Sequence, residues 1–356
     1  MRLDEMFDFL PKSIRSASYG QLTGLYPFYT SSNVVDKFID DYDYEGEFLI
    51  VGDGGTGNCK YVNGRFSVSD HNFIMKPLNN TNIKCVKYFL MKDNYKILNA
   101  GFKGVGIKNV SKSYIKKIVY KYNQSFTEDF IVLTLSNIEQ LIEEQNNALI
   151  KLDEIIKSRF NDMFLPNKYN TVTMKELSTA KAEYGASSAS MTFDPSRPRY
   201  VRITDINDDG TLNNDNVSSK NISDDTKYKL SYGDFLFARM GNTVGKTYTH
   251  YSGNEIFAGY LIRYKLKLSI INPTYLFYYT KTKEYNQWVD SNKSGSGQPG
   301  INAKKFNLLE IPLPPIELQN EFAAFVELID KLKFNVQKRI DLYQELLDKK
   351  MDEYFG

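Results

Sequence analysis

NIEQLIEEQNNALIKLDEIIKSRF (residues 137–160) and LIDKLKFNVQKRIDLYQELLDKKM (residues 328–351) decide the architecture. Each lies in a longer stretch without Gly or Pro, rich in Leu, Ile, Glu and Lys, running roughly from Thr127 to Phe164 and from Glu317 to Phe355. Alternating steps of four and three residues pick out Ile138, Ile142, Gln145, Leu149, Leu152, Ile156, Arg159 and Met163. Adding 191 to each number gives Ile329, Lys333, Val336, Ile340, Tyr343, Leu347, Lys350 and Tyr354. A spacing of 3.5 residues held over several heptads predicts a coiled-coil seam. A single such helix reads equally well as an ordinary amphipathic surface helix. Two in register favour packing on each other.

The repeat extends beyond the helices, as a search for internal periodicity should test first. Gly46-Glu47-Phe48-Leu49 recurs as Gly233-Asp234-Phe235-Leu236, an offset of 187 (233 minus 46). Tyr88 and Tyr95 match Tyr278 and Tyr285 at 190 (278 minus 88). Gly104-Val105-Gly106-Ile107 resembles Gln298-Pro299-Gly300-Ile301, with the shared Gly and Ile 194 apart (300 minus 106). A Lys-rich step and an apolar strand are expected after each, at Ile115–Tyr120 and Leu308–Leu313. Pro166 closes the first helix, and Pro312, Pro314 and Pro315 precede the second. The expected order is a globular unit (1–126), a helix (127–165), a second unit (166–316) and a second helix (317–356). The fold class is α+β: two mixed α/β units in a pseudo-twofold internal repeat, with two long helices. Short strands are expected at Phe48–Val51, Phe73–Met75, Arg199–Ile203 and Phe235–Ala238, and a hairpin turn at Asn63-Gly64.

Composition bounds the function. The chain has 356 residues, 42% hydrophobic and 25% charged, as expected of a folded protein. Its net charge of +2 and sequence pI of about 8.1 do not by themselves argue for nucleic acid, so any basic footprint must be local. Tyr (26) and Phe (23) outnumber Trp (1), a bias that strands favour. Cys59 and Cys85 form no disulfide framework, and with two histidines, His71 and His250, no zinc spacing arises, so no metal is expected. Asp4, Glu5 and Asp8 near the start argue against a signal peptide, and no apolar run reaches membrane-spanning length. A cytoplasmic protein without a membrane partner is expected.

Some segments imitate enzyme motifs. Gly52-Asp53-Gly54-Gly55-Thr56-Gly57 fits G-x-G-x-x-G, yet a pyrophosphate site needs a helix N-terminus directly after the glycines. The next residues, Asn58 to Gly64, read as strand and turn, and the counterpart Arg239–Gly245 loses the fingerprint; a tight turn between strands explains both. Asn272-Pro273-Thr274-Tyr275 resembles a base-holding loop of adenine methyltransferases but lacks its second proline. Asn272 as N-cap with Pro273 at the first helical position fits better. Ser69-Asp70-His71 has triad residue types without triad geometry. Asp348-Lys349-Lys350 lies on a helix without a partner acid on a strand, so no catalytic residue is assigned.

The chain resembles the DNA-specificity subunits of type I restriction–modification systems. Tyr26-Pro27-Phe28-Tyr29-Thr30-Ser31-Ser32 and Tyr200-Val201-Arg202-Ile203-Thr204-Asp205-Ile206 resemble openings of their target-recognition domains. Gly233-Asp234-Phe235-Leu236-Phe237-Ala238-Arg239-Met240-Gly241 with Val244-Gly245-Lys246 resembles a frequent family segment. So does Gly297-Gln298-Pro299-Gly300-Ile301, continuing to Ile311-Pro312-Leu313-Pro314-Pro315 and Gln319. The first unit departs at Lys121-Tyr122-Asn123, in place of Pro314-Pro315, and at Gly101-Phe102-Lys103-Gly104, in place of Gly295-Ser296-Gly297. The resemblance implies antiparallel pairing of the helices along Ile138, Ile142, Leu149, Leu152 and Ile156 against Ile329, Val336, Ile340, Tyr343 and Leu347. It also implies two reading domains on double-stranded DNA, two methyltransferase subunits carrying the methyl donor, and an ATP-driven restriction subunit. The chain itself would then hold no cofactor.

Within that resemblance, polar and loop-like stretches supply candidate DNA contacts. These are Lys12, Arg15, Tyr29, Thr30, Ser31, Ser32, Asn33, Lys60 and Lys103 in the first unit. In the second they are Arg197, Arg199, Arg202, Arg239, Asn242, Thr243, Lys246, Lys293 and Gln298. Arg suits guanine and Asn or Gln suits adenine, because their paired hydrogen-bonding groups match those base edges. Solvated surface charge is the competing reading of each. Glu143, Glu144 and Lys151, off the seam, are candidates to face partners. A type IIB-like specificity subunit, a methyltransferase or nucleotide-binding enzyme, and a coiled-coil scaffold remain as alternatives.

Overall fold

The computed structural model describes residues 1–32, 34–106, 108–222, 227–295 and 299–356. They form two compact units, Met1–Leu149 with Asn335–Gly356, and Ile150–Phe334. Both expected long helices form, over Glu128–Phe164 and Ile316–Phe355. Each contributes one part to each unit.

In the first unit a six-stranded sheet has the order Phe7–Phe9, Asn72–Pro77, Tyr44–Gly52, Cys59–Val68, Tyr26–Tyr29, Phe38–Ile39. The run Phe48-Leu49-Ile50-Val51 is apolar without alternation because both sheet faces are covered, as period-2 geometry then requires. Leu49 and Val51 pack with the helix Ile83–Asn99 and with Ile131, Leu135, Met351, Tyr354 and Phe355 of the long helices. Phe48 and Ile50 pack on the opposite face with Val62, Phe66, Val68 and Ile74. The beginning of the first long helix thus shares one core with the end of the second, an antiparallel arrangement.

The second unit repeats the plan with shorter strands. One sheet has the order Glu183–Tyr184, Leu261–Lys265, Asp234–Ala238, Thr247–Thr249. Another has the order Ser190–Thr192, Val217–Ser219, Arg199–Val201, Glu255–Phe257. Phe235 and Phe237 pack against Ile156, Phe160 and Phe164 of the first long helix and Phe322, Val326 and Ile329 of the second, while Leu236 and Ala238 face the other way. Arg159 bonds Glu321 at 2.8 Å and Lys333 bonds Asp153 at 2.6 Å, so the end of the first helix lies beside the start of the second. The seam positions are buried or half-buried: Ile138, Ile142, Leu149, Leu152 and Ile156 on one helix, Ile329, Val336, Ile340, Tyr343 and Leu347 on the other.

Matching caps show the duplication in detail. Asn82 caps the helix Ile83–Asn99, its carbonyl oxygen accepting from Cys85 N–H, and its amide donates to Asp129 at 3.0 Å. Asn272 caps Pro273–Tyr279 in the same way through Thr274 N–H, and its amide donates to Asn320 at 2.8 Å. The cap reading of Asn272-Pro273 therefore holds. Ile83–Asn99 carries left-handed residues at Asp93, Asn94 and Tyr95, at the place where the second unit splits into two helices, Pro273–Tyr279 and Lys283–Asn292.

Four expectations need correction. Asn63-Gly64 is no hairpin turn: it lies within Cys59–Val68, and Gly64 (φ +123°) faces Gly46 (φ +116°) across the ladder. The ladder continues through that glycine pair, and the turn lies at Asp53–Asn58. Ile115–Tyr120 is no strand. Ser111 caps a helix over Lys112–Lys117 that carries Ile115 into the core, and Val119 makes a single bridge to Arg2. Leu308–Leu313 does contain a strand, Glu310–Pro312, paired with Thr171–Thr173. The strand expected at Arg199–Ile203 ends at Val201, because Asp205 draws Arg202 into a turn.

The fourth correction concerns repeat register. Asp53 N–H donates to His71 O and its own carbonyl accepts from Val110 N–H; Arg239 N–H donates to Tyr260 O and its carbonyl accepts from Ile301 N–H. Gly55 N–H donates to Lys108 O, and Gly241 N–H to Pro299 O. These bonds equate Asp53 with Arg239, an offset of 186 (239 minus 53), and Val110 with Ile301, an offset of 191 (301 minus 110). The offset of 187 from Gly46 and Gly233 is one residue out. A one-residue slip exchanges the two faces of a strand, which is why Phe48 and Phe235 occupy opposite sides of their sheets. The counterpart of Gly300 is Asn109, not Gly106.

Candidate nucleic-acid interface

In each unit two chain segments meet at a glycine-rich turn. The first is Asp53–Asn58, between Tyr44–Gly52 and Cys59–Val68, with no helix after it. The glycine segment thus serves the turn, and the nucleotide-binding geometry is missing. Gly54 bridges Asn109, joining the turn to the strand Asn109–Val110, which pairs with Phe102–Lys103. Gly55, Thr56, Lys103, Val105, Lys108 and Asn109 are exposed around it. Asn58 is buried and its amide donates to Ser31 O at 2.9 Å, which ties Thr30 and Ser31 to the turn. Lys60 donates to Thr30 O at 3.3 Å and to Asn58 at 3.1 Å, and burial pushes its ammonium below the usual lysine range. Asp53 is 6% exposed; Lys12 pairs with it and lies 4.9 Å from the Phe73 ring, and His71 Nδ1 is 3.0 Å from its other oxygen.

Lys12, Thr30, Ser31, Lys60 and Lys103 are therefore brought around one turn. Ser32 is exposed beside them. Tyr29 lies in its strand with its ring against Phe66, and burial raises its hydroxyl pKa. Arg15 is committed elsewhere: Asp41 and Asp43 bond it at 2.8 Å each and keep it firmly charged, and the Tyr19 ring lies 4.7 Å from its guanidinium.

The second unit builds the equivalent turn from Arg239 to Lys246. Met240 bridges Gly300, and Gly300 bridges Ser294. Arg239 donates its Nε to Gly259 O at 3.1 Å, with Tyr184 and Tyr260 rings 5.0 and 5.7 Å from the guanidinium. Both tyrosines are about half exposed, at 44% and 52%. Among the described residues the Arg239 Nη nitrogens make no hydrogen bond, so the fork is oriented yet unspent. Asn242 is exposed at the tip, and Thr243 donates back to Met240 O at 3.2 Å. Lys246 pairs with Asp208 at 2.7 Å and Lys293 with Asp290 at 2.6 Å, both partly exposed.

Three arginines are braces of the sheet rather than parts of this turn. Arg202 grips the fully buried Asp205 at 2.7 Å and also Asp215 at 2.8 Å. Arg199 donates to Asn213 O at 2.7 Å, and Arg197 to Ser219 O at 3.1 Å. Asn33 and Gln298 lie outside the described residues, as do Ile107 and Gly297 of the quoted motifs. Residue-by-residue reading missed Lys108, Asn109, His71, Tyr184 and Tyr260. Correct repeat register was the signal that reaches Lys108 and Asn109, opposite Pro299 and Gly300.

The sequence model of the "Type I restriction modification DNA specificity domain" matches twice, over residues 1–152 and 166–344. The chain belongs to that family. Within it, the MjaVIII specificity subunit of Methanocaldococcus jannaschii, a type I restriction enzyme component, is 28% identical over 142 residues. That match covers 40% of this chain and 32% of the relative, so the chain matches about a third of this relative's length. Among solved structures, the S subunit of a type I restriction–modification system from M. genitalium is similar with a TM-score of 0.63 at 16% identity, covering 99% of this chain and 94% of that one. A chain from a study of complex assembly and conformational transition in the type I system has a TM-score of 0.56 at 14% identity, covering 99% and 96%. These likenesses concern the fold. No helix among the described residues is long and apolar enough to cross a membrane.

Proposed function

We propose that this chain is the non-catalytic specificity subunit of a type I restriction–modification complex and reads a two-part site in double-stranded DNA. The observation that carries the proposal is the matched pair of turns, Asp53–Asn58 and Arg239–Lys246, held by equivalent hydrogen bonds in two family-matched halves. Phosphate contacts position such a reader and base-edge contacts give it identity. Lys12, Lys60, Lys103 and Lys108 suit the first task in the first unit, and Lys246 and Lys293 in the second. Arg239, with its plane fixed by two tyrosines, and Asn242 suit base edges. Thr30, Ser31, Ser32 and Thr243 complete the set. Since Asp53 stands where Arg239 stands, the half-sites differ.

Residues 1–126 and 166–316 act as the reading domains, and residues 127–165 and 317–356 are the long helices that accompany them. Two methyltransferase subunits, carrying the methyl donor, and an ATP-driven restriction subunit supply the chemistry, in the cytoplasm. The test is genome-wide mapping of methylated adenine with and without this chain. A bipartite motif that disappears on deletion supports the proposal, and an unchanged methylation pattern refutes it.

A further inference from the structure

The duplication gives each contact an internal comparison, and one contact is complete in the first unit and incomplete in the second. In the first, the Tyr88 hydroxyl donates to Glu139 Oε2 at 2.7 Å. Lys87 Nζ lies 3.9 Å from that oxygen and 4.9 Å from the Tyr88 ring centre. The chain's own lysine therefore attends both the ring and the carboxylate. The cap contacts fix the correspondence, because Asn82–Asp129 repeats as Asn272–Asn320, offsets of 190 and 191 (272 minus 82, 320 minus 129). Carried across, Tyr88 becomes Tyr278, Glu139 becomes Asp330 and Lys87 becomes Phe277. The tyrosine and the acid are kept, and the cation is not.

Asp330 forms no ion pair or hydrogen bond among the described residues. Lys333, whose charge reaches it, is bonded to Asp153 at 2.6 Å. Lys281 lies over Phe277 at 4.4 Å and gives its ammonium to Asp208 O at 2.6 Å. Around the pair the second unit opens a cleft of about 1390 Å³. Tyr278 and Asp330 line it together with Tyr232 and Tyr251, whose rings meet edge to face at 5.9 Å and are 65% and 46% exposed. Thr249, 6% exposed, forms part of its wall. The hollow at the corresponding place in the first unit, beside Asn82 and Asp129, is about 710 Å³.

Aromatic faces beside a carboxylate attract ammonium and guanidinium groups. The cleft exceeds the roughly 300–1,000 Å³ of small-ligand sites, and exposed tyrosines are common anchors of protein partners. We propose that this cleft receives a basic side chain of a partner polypeptide, which takes the role that Lys87 fills in the first unit. Arginine suits it best, since a planar guanidinium stacks on rings and forks a carboxylate at once. The partner so bound engages the second unit and not the first, which distinguishes two otherwise similar halves. This inference is independent of DNA reading, and either can fail alone.

The test uses the full chain and isothermal titration with a deca-arginine peptide, with deca-glutamate as control. One saturable site is expected for deca-arginine and none for deca-glutamate. Asp330→Asn weakens binding at least about tenfold, the loss expected for one charge-assisted contact. Phe277→Lys, which restores the lysine of the first unit, weakens it likewise, whereas Phe277→Leu keeps it. The proposal is overturned if wild type shows no saturable binding, or if Asp330→Asn binds as tightly as wild type. Should Phe277→Lys fail to fold, Asp330→Asn alone decides.

Discussion

Replacing Phe322 with alanine should cost the second unit about 4 kcal/mol. Phe322 is fully buried near the start of the second long helix, with ring centres of Phe160, Phe164 and Tyr278 at 5.4, 5.6 and 5.3 Å. Phe→Ala in a core costs about 3–5 kcal/mol through lost transfer energy and the cavity left behind. Edge-to-face ring pairs add about 0.5–1.5 kcal/mol each, part of which neighbouring side chains recover by collapsing inward. With a urea dependence of about 2 kcal/mol per molar, the unfolding midpoint should fall by about 2 M. Trp288, the sole tryptophan of the chain, lies in this unit beside Tyr285 and Phe306, so its fluorescence reports the unit selectively. Leu328→Ala is the matched control: it removes an apolar side chain from the same helix at a position 61% exposed, and should move the midpoint by no more than about 0.3 M. A Phe322→Ala shift below about 0.5 M, or equal shifts in the two variants, would refute helix pairing through this ring cluster.

The same contacts predict other outcomes. Asn82→Ala and Asn272→Ala should each cost about 1–2 kcal/mol in urea unfolding through loss of a cap and a tie to a long helix, and the double variant should show their sum, because the sites share no partner. Arg263→Met should cost about 3–5 kcal/mol at pH 7, since Arg263, 3% exposed, braces the buried Asp234 and also pairs with the half-buried Glu183. Burial already lifts the Asp234 carboxyl above its ordinary value; a raised folded pKa means stability lost as pH rises, so the deficit should shrink when unfolding is measured at lower pH. Arg239→Ala should weaken binding of a duplex carrying the full site by about 1–3 kcal/mol and relax base preference in one half only, read by competition with single-base variants.

The long helices were legible because a seven-residue period without Gly or Pro survives any local context. Their ends fell within a residue or two of expectation, and the paired seam was implied by the second copy. Asn272-Pro273 and Gly52–Gly57 were legible through mechanism: one pair fits a helix start, and the other segment lacks the helix that phosphate binding needs. Register was not legible. Gly46-Glu47-Phe48-Leu49 and Gly233-Asp234-Phe235-Leu236 look alike as strings, but only the ladder bonds of Asp53 and Arg239 show which side chains share a face. Asn63-Gly64 misled because a glycine facing another glycine across a ladder bears the same local signature as a turn. Among the candidate contacts, Arg15 and Arg202 carry the right residue types, yet their acidic partners, Asp41, Asp43, Asp205 and Asp215, become neighbours only through the fold.

The most direct measurement is a half exchange. Residues 166–316 are replaced by the equivalent segment of a family member with a different target, and methylated adenine is mapped across the genome. If two unlike heads each read one half, one half of the motif changes, while the other half and the spacer stay as they were. A motif altered in both halves, or altered in neither, contradicts the account.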